Sequence, residues 1–79
     1  MASTLTLYST SDCHLCEQAL ALVRSMPELR RYSVIEVDVA NDDAAFARYG
    51  ARIPVLVRTN PPREIGWPFN ADDVLGLIE

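Results

Sequence analysis

Residues 8–17 of the chain read YSTSDCHLCE, and they include both of its cysteines, Cys13 and Cys16. This segment follows a short run of alternating polar and apolar residues, which predicts a strand, and it opens a stretch with helical periodicity. Cys13 is therefore expected in the first turn of a helix, where unpaired backbone N–H groups and the helix dipole lower the pKa of a thiol. Cys16 is expected one turn further along the same face, within reach of the first sulfur.

This arrangement predicts thiol–disulfide chemistry. A Cys-x-x-Cys pair at a strand-to-helix turn is typical of a redox-active dithiol, and exchange requires an exposed acidic thiol beside a sheltered partner. A protonated His14 would lower the pKa of Cys13 further, whereas the carboxylate of Asp12 would oppose ionisation of the thiol. Two plainer interpretations stay open: His14 is simply a solvent-facing residue, and the cysteines form a purely structural disulfide.

A metal site is less well supported by the same residues. Zinc takes four ligands, whereas Cys13, Cys16 and His14 supply at most three, with His14 lying between the other two. We therefore expect no metal and no bound cofactor in the chain. Two alternatives to redox catalysis remain: a binding module that holds a metal or an iron–sulfur centre across a dimer, and a non-catalytic adaptor with an inert cysteine pair.

The composition limits the other functional classes. The chain has 79 residues and a formal net charge of −4, and its basic residues are all arginine. Its acidic residues are scattered and it has no basic patch, so nucleic acid is not an expected partner. No apolar run approaches transmembrane length, and the first residues lack the pattern of a secretory signal. We expect a single domain, 1–79, acting as a monomer in a reducing cytoplasm.

The remaining sequence predicts alternating strands and helices. Strands are expected at residues 4–8, 32–39, 55–57 and 64–66, and helices at residues 13–26, 43–50 and 71–78. The first helix should bury a face made of Leu15, Ala19, Leu22, Val23 and Met26. Asn41-Asp42-Asp43 is expected to start the second helix and Gly50 to close it. Asn70 is expected to cap the last helix, and Trp67 and Phe69 to cover the core just before it. Tyr8 and Tyr49 are expected to be packing residues.

The order β-α-β-α-β-β-α predicts a mixed sheet between helical layers. The first two strands should be parallel, because a right-handed helical crossover joins them, and the last two can form a hairpin. The continuous apolar run at residues 55–57 suits a central strand, while residues 32–39 suit a strand near an edge. The expected fold class is α/β, a three-layer α/β/α domain with four strands.

At this level the chain resembles the glutaredoxin-like branch of the thioredoxin superfamily. The resemblance rests on the Cys13–Cys16 motif after a strand that ends in Tyr8, on Ile53-Pro54 before a buried strand, and on Gly66 before the last helix. It implies that Cys13 attacks a disulfide and Cys16 resolves the mixed disulfide. It also implies that Pro54 is a cis-proline facing the cysteines, and that the backbone of Ile53 pairs with the substrate. The expected partners are a disulfide-bearing protein or small thiol and an external thiol reductant.

The chain departs from dithiol glutaredoxins at two places that concern glutathione. Thr10 stands where those proteins usually carry a lysine or arginine for a glutathione carboxylate. They also carry a Gly-Gly-x-Asp-like stretch after the last strand, whereas this chain reads Gly66-Trp67-Pro68-Phe69-Asn70. Arg52, beside Ile53-Pro54, is then the candidate for binding a carboxylate-bearing substrate. We expect glutathione to bind weakly.

Overall fold

A computed structural model describes residues 4–79 of the chain as one four-stranded sheet with helices on both faces. Residues 1–3, which the expected single domain includes, lie outside the described residues. The strands are β1 (Thr4–Ser9), β2 (Ser33–Asp38), β3 (Val55–Arg58) and β4 (Arg63–Gly66), and the helices are α1 (His14–Arg24), α2 (Asp43–Tyr49) and α3 (Ala71–Ile78). Two short 3-10 turns, Pro27–Leu29 and Val39–Asn41, were not expected from the sequence.

The sheet has the order β2-β1-β3-β4, and it is mixed as predicted. β1 runs parallel to β2, whereas β3 is antiparallel to both β1 and β4. β2 lies at an edge and β3 in the interior, in agreement with the periodicity of each segment. The register pairs Ser9 with Asp38 and Tyr8 with Val55. The end of β1, the end of β2 and the start of β3 therefore lie side by side along the edge of the sheet that is formed by strand ends, where β1 passes into α1.

Side-chain alternation along the strands divides the core between the two faces, because successive residues of a strand point to opposite sides. Leu5, Leu7 and Leu56 pack with α1 and α3, in a cluster that also contains Phe69 and the partly buried Trp67. Val55 packs with α2 on the other face, together with Tyr8 and Tyr49. The three-layer α/β/α prediction is confirmed, and so are the packing roles of the tyrosines and of the Trp67–Phe69 pair.

The first helix is shorter than predicted. It ends at Arg24, two residues before Met26, and Met26 is buried in the turn that follows. The predicted apolar face was wrong at Leu15, which is 46% exposed. In the helix the buried positions are Cys16, Ala19 and Val23, with spacings of three and four residues. Leu15 precedes this stripe by one position, so it is rotated away from the core.

The ends of α2 and α3 show the capping that their sequences indicated. Asp42 caps α2 by accepting from the backbone N–H of Ala45, and Gly50 closes the helix. A Cβ atom at Gly50 would lie 2.5 Å from the carbonyl oxygen of Phe46, so a side chain there would force the backbone to move. In α3, Asn70 and Asp73 form a reciprocal capping box, each side chain accepting from the other residue's backbone N–H.

Candidate active site

The cysteine segment lies where the first strand passes into the first helix. β1 ends at Ser9, a tight turn follows, and α1 begins at His14. Within the turn Asp12 has φ of 56°, a left-handed conformation that aspartate tolerates better than most residues because its short side chain can hydrogen-bond locally. This turn brings the chain back over the sheet edge and places Cys13 directly at the helix N-terminus.

Cys13 is the N-cap residue of α1. Its backbone is extended, its carbonyl oxygen accepts the N–H of Glu17 at 3.1 Å, and its Sγ accepts the N–H of Cys16 at 3.1 Å. The sulfur thus takes the place of the side-chain oxygen that usually satisfies an orphan amide at a helix start. A negative charge on this sulfur would face a hydrogen-bond donor and the positive end of the helix dipole.

The two cysteines differ in their access to solvent. Cys16 is only 3% exposed and lies on the buried face of α1, whereas Cys13 is partly exposed. The two sulfurs are joined in a disulfide, and the Cα atoms lie 5.2 Å apart, within the usual range for bridged cysteines. The segment can therefore hold the oxidised state, with Cys13 partly open to solvent and Cys16 shielded.

The two charged neighbours of Cys13 both lie at the surface. Asp12 is exposed, and the His14 side chain is 82% exposed. The His14 Nδ1 atom lies 3.6 Å from the Glu17 carboxylate, one turn further along α1. An effect of His14 or Asp12 on the thiol of Cys13 stays a prediction.

Ile53 and Pro54 lie at the same sheet edge as the cysteine segment. Pro54 is fully buried and directly precedes β3. Because Tyr8 pairs with Val55, the next position along each strand brings Ser9 beside Pro54. The Ile53–Pro54 bond is cis, as the resemblance implied, and the Pro54 carbonyl accepts the N–H of Trp67 at 3.1 Å. Ile53 is half-buried against the α2 cluster. Pairing of the Ile53 backbone with a substrate stays a prediction.

Arg52 is already engaged by other residues of the chain. Its Nη2 lies 2.6 Å from Oε2 of Glu64 on β4, in a hydrogen-bonded ion pair. Its guanidinium carbon is 5.9 Å from the ring centroid of Tyr49, and that ring stacks on Tyr8 at 4.4 Å. Sequence reasoning missed Glu64, since only the β3–β4 hairpin brings it to the loop that contains Arg52.

Thr10 borders a small polar pocket beside the cysteine segment. The pocket has a volume of about 260 Å³ and is lined by Ser9, Thr10, Ser11, Glu36 and Asp38. Ser9 is buried and donates a 2.8 Å hydrogen bond to Glu36 from its hydroxyl group. Both carboxylates come from β2, so the parallel pairing of β1 and β2 creates an acidic neighbourhood that the sequence did not reveal.

Between Thr4 and Glu79, no group of three or more histidine, cysteine or acidic side chains is placed to hold a metal ion. Over the same residues, no helix has the length and apolar character needed to cross a membrane.

Comparisons with known proteins agree with this geometry. A family model described as glutaredoxin-like domain (DUF836) matches residues 4–79. No curated protein matches the chain. A crystal structure of the structural-genomics target XcR50 from X. campestris is 38% identical, with 94% of this chain and 93% of that chain covered and a TM-score of 0.72.

Two further solved structures share the fold. The solution structure of protein Ne2328 from Nitrosomonas europaea is 26% identical, over 96% of this chain and 89% of that one, with a TM-score of 0.75. A mutant thioredoxin from Halobacterium salinarum is 25% identical, over 98% of this chain and 72% of that one, with a TM-score of 0.75. The thioredoxin-like fold is therefore shared well beyond the cysteine motif.

Proposed function

The chain belongs to the glutaredoxin-like domain family, and from that premise we propose that it is a small thiol–disulfide oxidoreductase working through the Cys13–Cys16 couple. The observation that carries this proposal is the asymmetry of the pair at the start of α1. Cys13 is partly exposed and its sulfur accepts a backbone N–H, whereas Cys16 is buried one turn deeper. The first sulfur can meet a substrate, and the second can reach only the first.

The proposed reaction has two exchange steps. The Cys13 thiolate attacks one sulfur of a substrate disulfide, the substrate S–S bond breaks, and the first substrate thiolate leaves. The Cys16 thiolate then attacks the Cys13 sulfur, which releases the second substrate thiolate and forms the Cys13–Cys16 disulfide. Two electrons have passed to the substrate, and each departing thiolate takes up a proton according to its pKa. An external thiol restores the dithiol by the reverse exchange.

The arrangement around Cys13 favours the first step. The Cys16 amide donates to the attacking sulfur, and charge-assisted hydrogen bonds of this kind are stronger than neutral ones. This contact is observed in the oxidised state, and in the dithiol state we expect the same amide to donate to the Cys13 thiolate. Ile53 and Pro54, at the same sheet edge, are the proposed contact for the substrate backbone.

We expect glutathione to be a poor ligand of this site. Thr10 supplies no charge for a carboxylate, and the pocket that it borders contains the carboxylates of Glu36 and Asp38. The main substrate would then be a protein disulfide or another small disulfide. Amide NMR shifts during a glutathione titration measure the affinity, and saturation at sub-millimolar glutathione with shifts at Thr10, Ile53 and Trp67 would contradict this expectation.

Trapping of the mixed disulfide tests the proposed function. Cys16→Ser should accumulate a covalent adduct with a disulfide substrate on Cys13, detectable by mass spectrometry, because the resolving thiol is missing. Cys13→Ser should form no such adduct, since Cys16 is buried. In the reduced wild-type protein, Cys13 should be alkylated much faster than Cys16 at neutral pH. Equal alkylation of the two thiols, or adducts on Cys16, would contradict the assignment of Cys13 as the attacking cysteine and Cys16 as the resolving one.

A further inference from the structure

Arg52 is the cation next to the proposed substrate contact, and the structure gives it a partner of opposite charge. It directly precedes Ile53, and its Nη2 atom lies 2.6 Å from the Glu64 carboxylate. The Arg52 backbone N–H donates to the Tyr49 carbonyl at 2.7 Å, and its guanidinium lies near the Tyr49 ring. The side chain is therefore directed along α2 and toward β4, with its charge balanced before any substrate arrives.

Glu64 belongs to the exposed edge strand of the sheet. It pairs in register with Val57 of β3, while Arg52 lies on the loop that leads into β3. The Arg52 and Glu64 side chains are 52% and 31% exposed, so the pair is at the surface and a substrate can compete for the arginine. A carboxylate of a substrate would compete with Glu64 for the charge of Arg52.

The two arginines of β3 and β4 lie at the opposite end of the sheet, against the last turn of α3. Arg58 donates to the carbonyls of Leu77 and Glu79, and Arg63 donates to the carbonyl of Gly76 at the end of α3. The pocket beside Thr10 contributes carboxylates rather than cations. An anionic substrate at this edge would meet a neutralised Arg52 on one side and the carboxylates of Glu36 and Asp38 on the other. Arg48, whose guanidinium carbon lies 5.6 Å from the Tyr49 ring centroid, is a further exposed cation nearby.

We propose that Glu64 is a specificity-determining residue, which holds Arg52 in an ion pair and thereby makes the site discriminate against disulfides that carry carboxylates. This inference rests on the proposed function and names the charge class of its substrate: neutral or cationic disulfides are preferred over anionic ones. Glu64 acts through Arg52, not by contact with the reacting sulfurs. Loss of its charge frees the guanidinium for a substrate carboxylate.

The test compares three small disulfides of different charge in the purified protein. Cystamine is cationic, bis(2-hydroxyethyl) disulfide is neutral, and glutathione disulfide is anionic. The measured quantity is kcat/KM for each, and the anionic-to-neutral ratio is the readout, because it cancels any change in the reactivity of Cys13. Glu64→Gln should raise that ratio about fivefold, as expected when one exposed ion pair becomes available to the substrate.

Two further variants separate the ion pair from a general change of charge. Glu28→Gln makes the same change of net charge at an exposed position in the turn after α1, and it should leave the ratio unchanged. Arg52→Gln combined with Glu64→Gln should return the ratio to the wild-type value, since the freed cation is gone. Thermal unfolding of each variant shows whether the fold is retained.

Three results would overturn the inference. The first is an equal rise in Glu64→Gln and Glu28→Gln, which would mean that only net charge matters. The second is a rise that persists in the double variant, which would exclude Arg52 as the acceptor of the substrate. The third is an unchanged ratio in Glu64→Gln. Absence of Cys13-dependent exchange with all three disulfides is a distinct result, because it would reject the proposed function itself and the inference with it.

Discussion

The N-cap position of Cys13 can be tested by its effect on stability, independently of any substrate. The Cys13 Sγ accepts the Cys16 N–H at 3.1 Å and so satisfies one of the amides that a helix start leaves unpaired. A serine hydroxyl can accept the same amide, whereas an alanine side chain cannot. Cys13→Ser should therefore keep the cap, and Cys13→Ala should lose it.

The expected difference follows from measured capping energies. Replacing a capping side chain by alanine costs about 1 kcal/mol of unfolding free energy. For a chain of 79 residues, this corresponds to a midpoint lower by roughly 4–8 °C in Cys13→Ala than in Cys13→Ser. Both variants lack the disulfide and both keep Cys16, so the contribution of the crosslink cancels in the comparison.

Urea and thermal unfolding, followed by far-ultraviolet circular dichroism under reducing conditions, measure this difference. Ser11→Ala, at an exposed position of the same turn, is the matched control and should leave the midpoint unchanged. Equal midpoints for Cys13→Ser and Cys13→Ala would refute the reasoning. The hydrogen bond from the Cys16 N–H to the Cys13 sulfur would then make no measurable contribution to stability, and the explanation for a reactive Cys13 would lose its physical basis.

Three other predictions concern residues around the site and the helix that closes the fold. Burial, together with Tyr49 and Asp42, raises the pKa of Tyr8, and Arg48 opposes this shift. The folded state therefore favours the neutral phenol. The free energy of unfolding should be unaffected below about pH 10 and should fall as the pH rises further toward the folded-state pKa. Tyr8→Phe should weaken this alkaline loss in urea titrations of the oxidised protein, and an identical pH profile would contradict the assignment. Asp12→Val should lower the free energy of unfolding by about 1–2 kcal/mol in thermal unfolding because φ is positive at this position, whereas Asp12→Gly should not lower it. Equal stability of the two variants would contradict a left-handed conformation at Asp12. Arg58→Met should lower the free energy of unfolding by about 2 kcal/mol, since Arg58 donates to the carbonyls of Leu77 and Glu79 at the end of α3. Arg31→Met, at an exposed position, is the control and should change the stability little.

The sequence predicted the fold class and the cysteine site because both depend on local signals. Period-two and helical apolar patterns lie within single elements, and the Cys13–Cys16 spacing fits one helical turn. The turn residues at Asp42, Gly50 and Asn70 marked helix ends by the chemistry of their own side chains and backbone. Periodicity was less informative about orientation, as Leu15 shows, because a one-position shift on a helix turns a side chain by about 100°.

The sequence by itself thus determined the kind of chemistry at Cys13 and Cys16, the order of strands and helices, and the central place of β3. Only the tertiary structure decided which side chains surround that chemistry. Pairing of β4 with β3 brings Glu64 to Arg52, and pairing of β2 with β1 brings Glu36 and Asp38 to Thr10. The physical reason is that a redox motif is built from neighbours three residues apart, whereas charge around the site comes from strands that meet only through long-range hydrogen bonding.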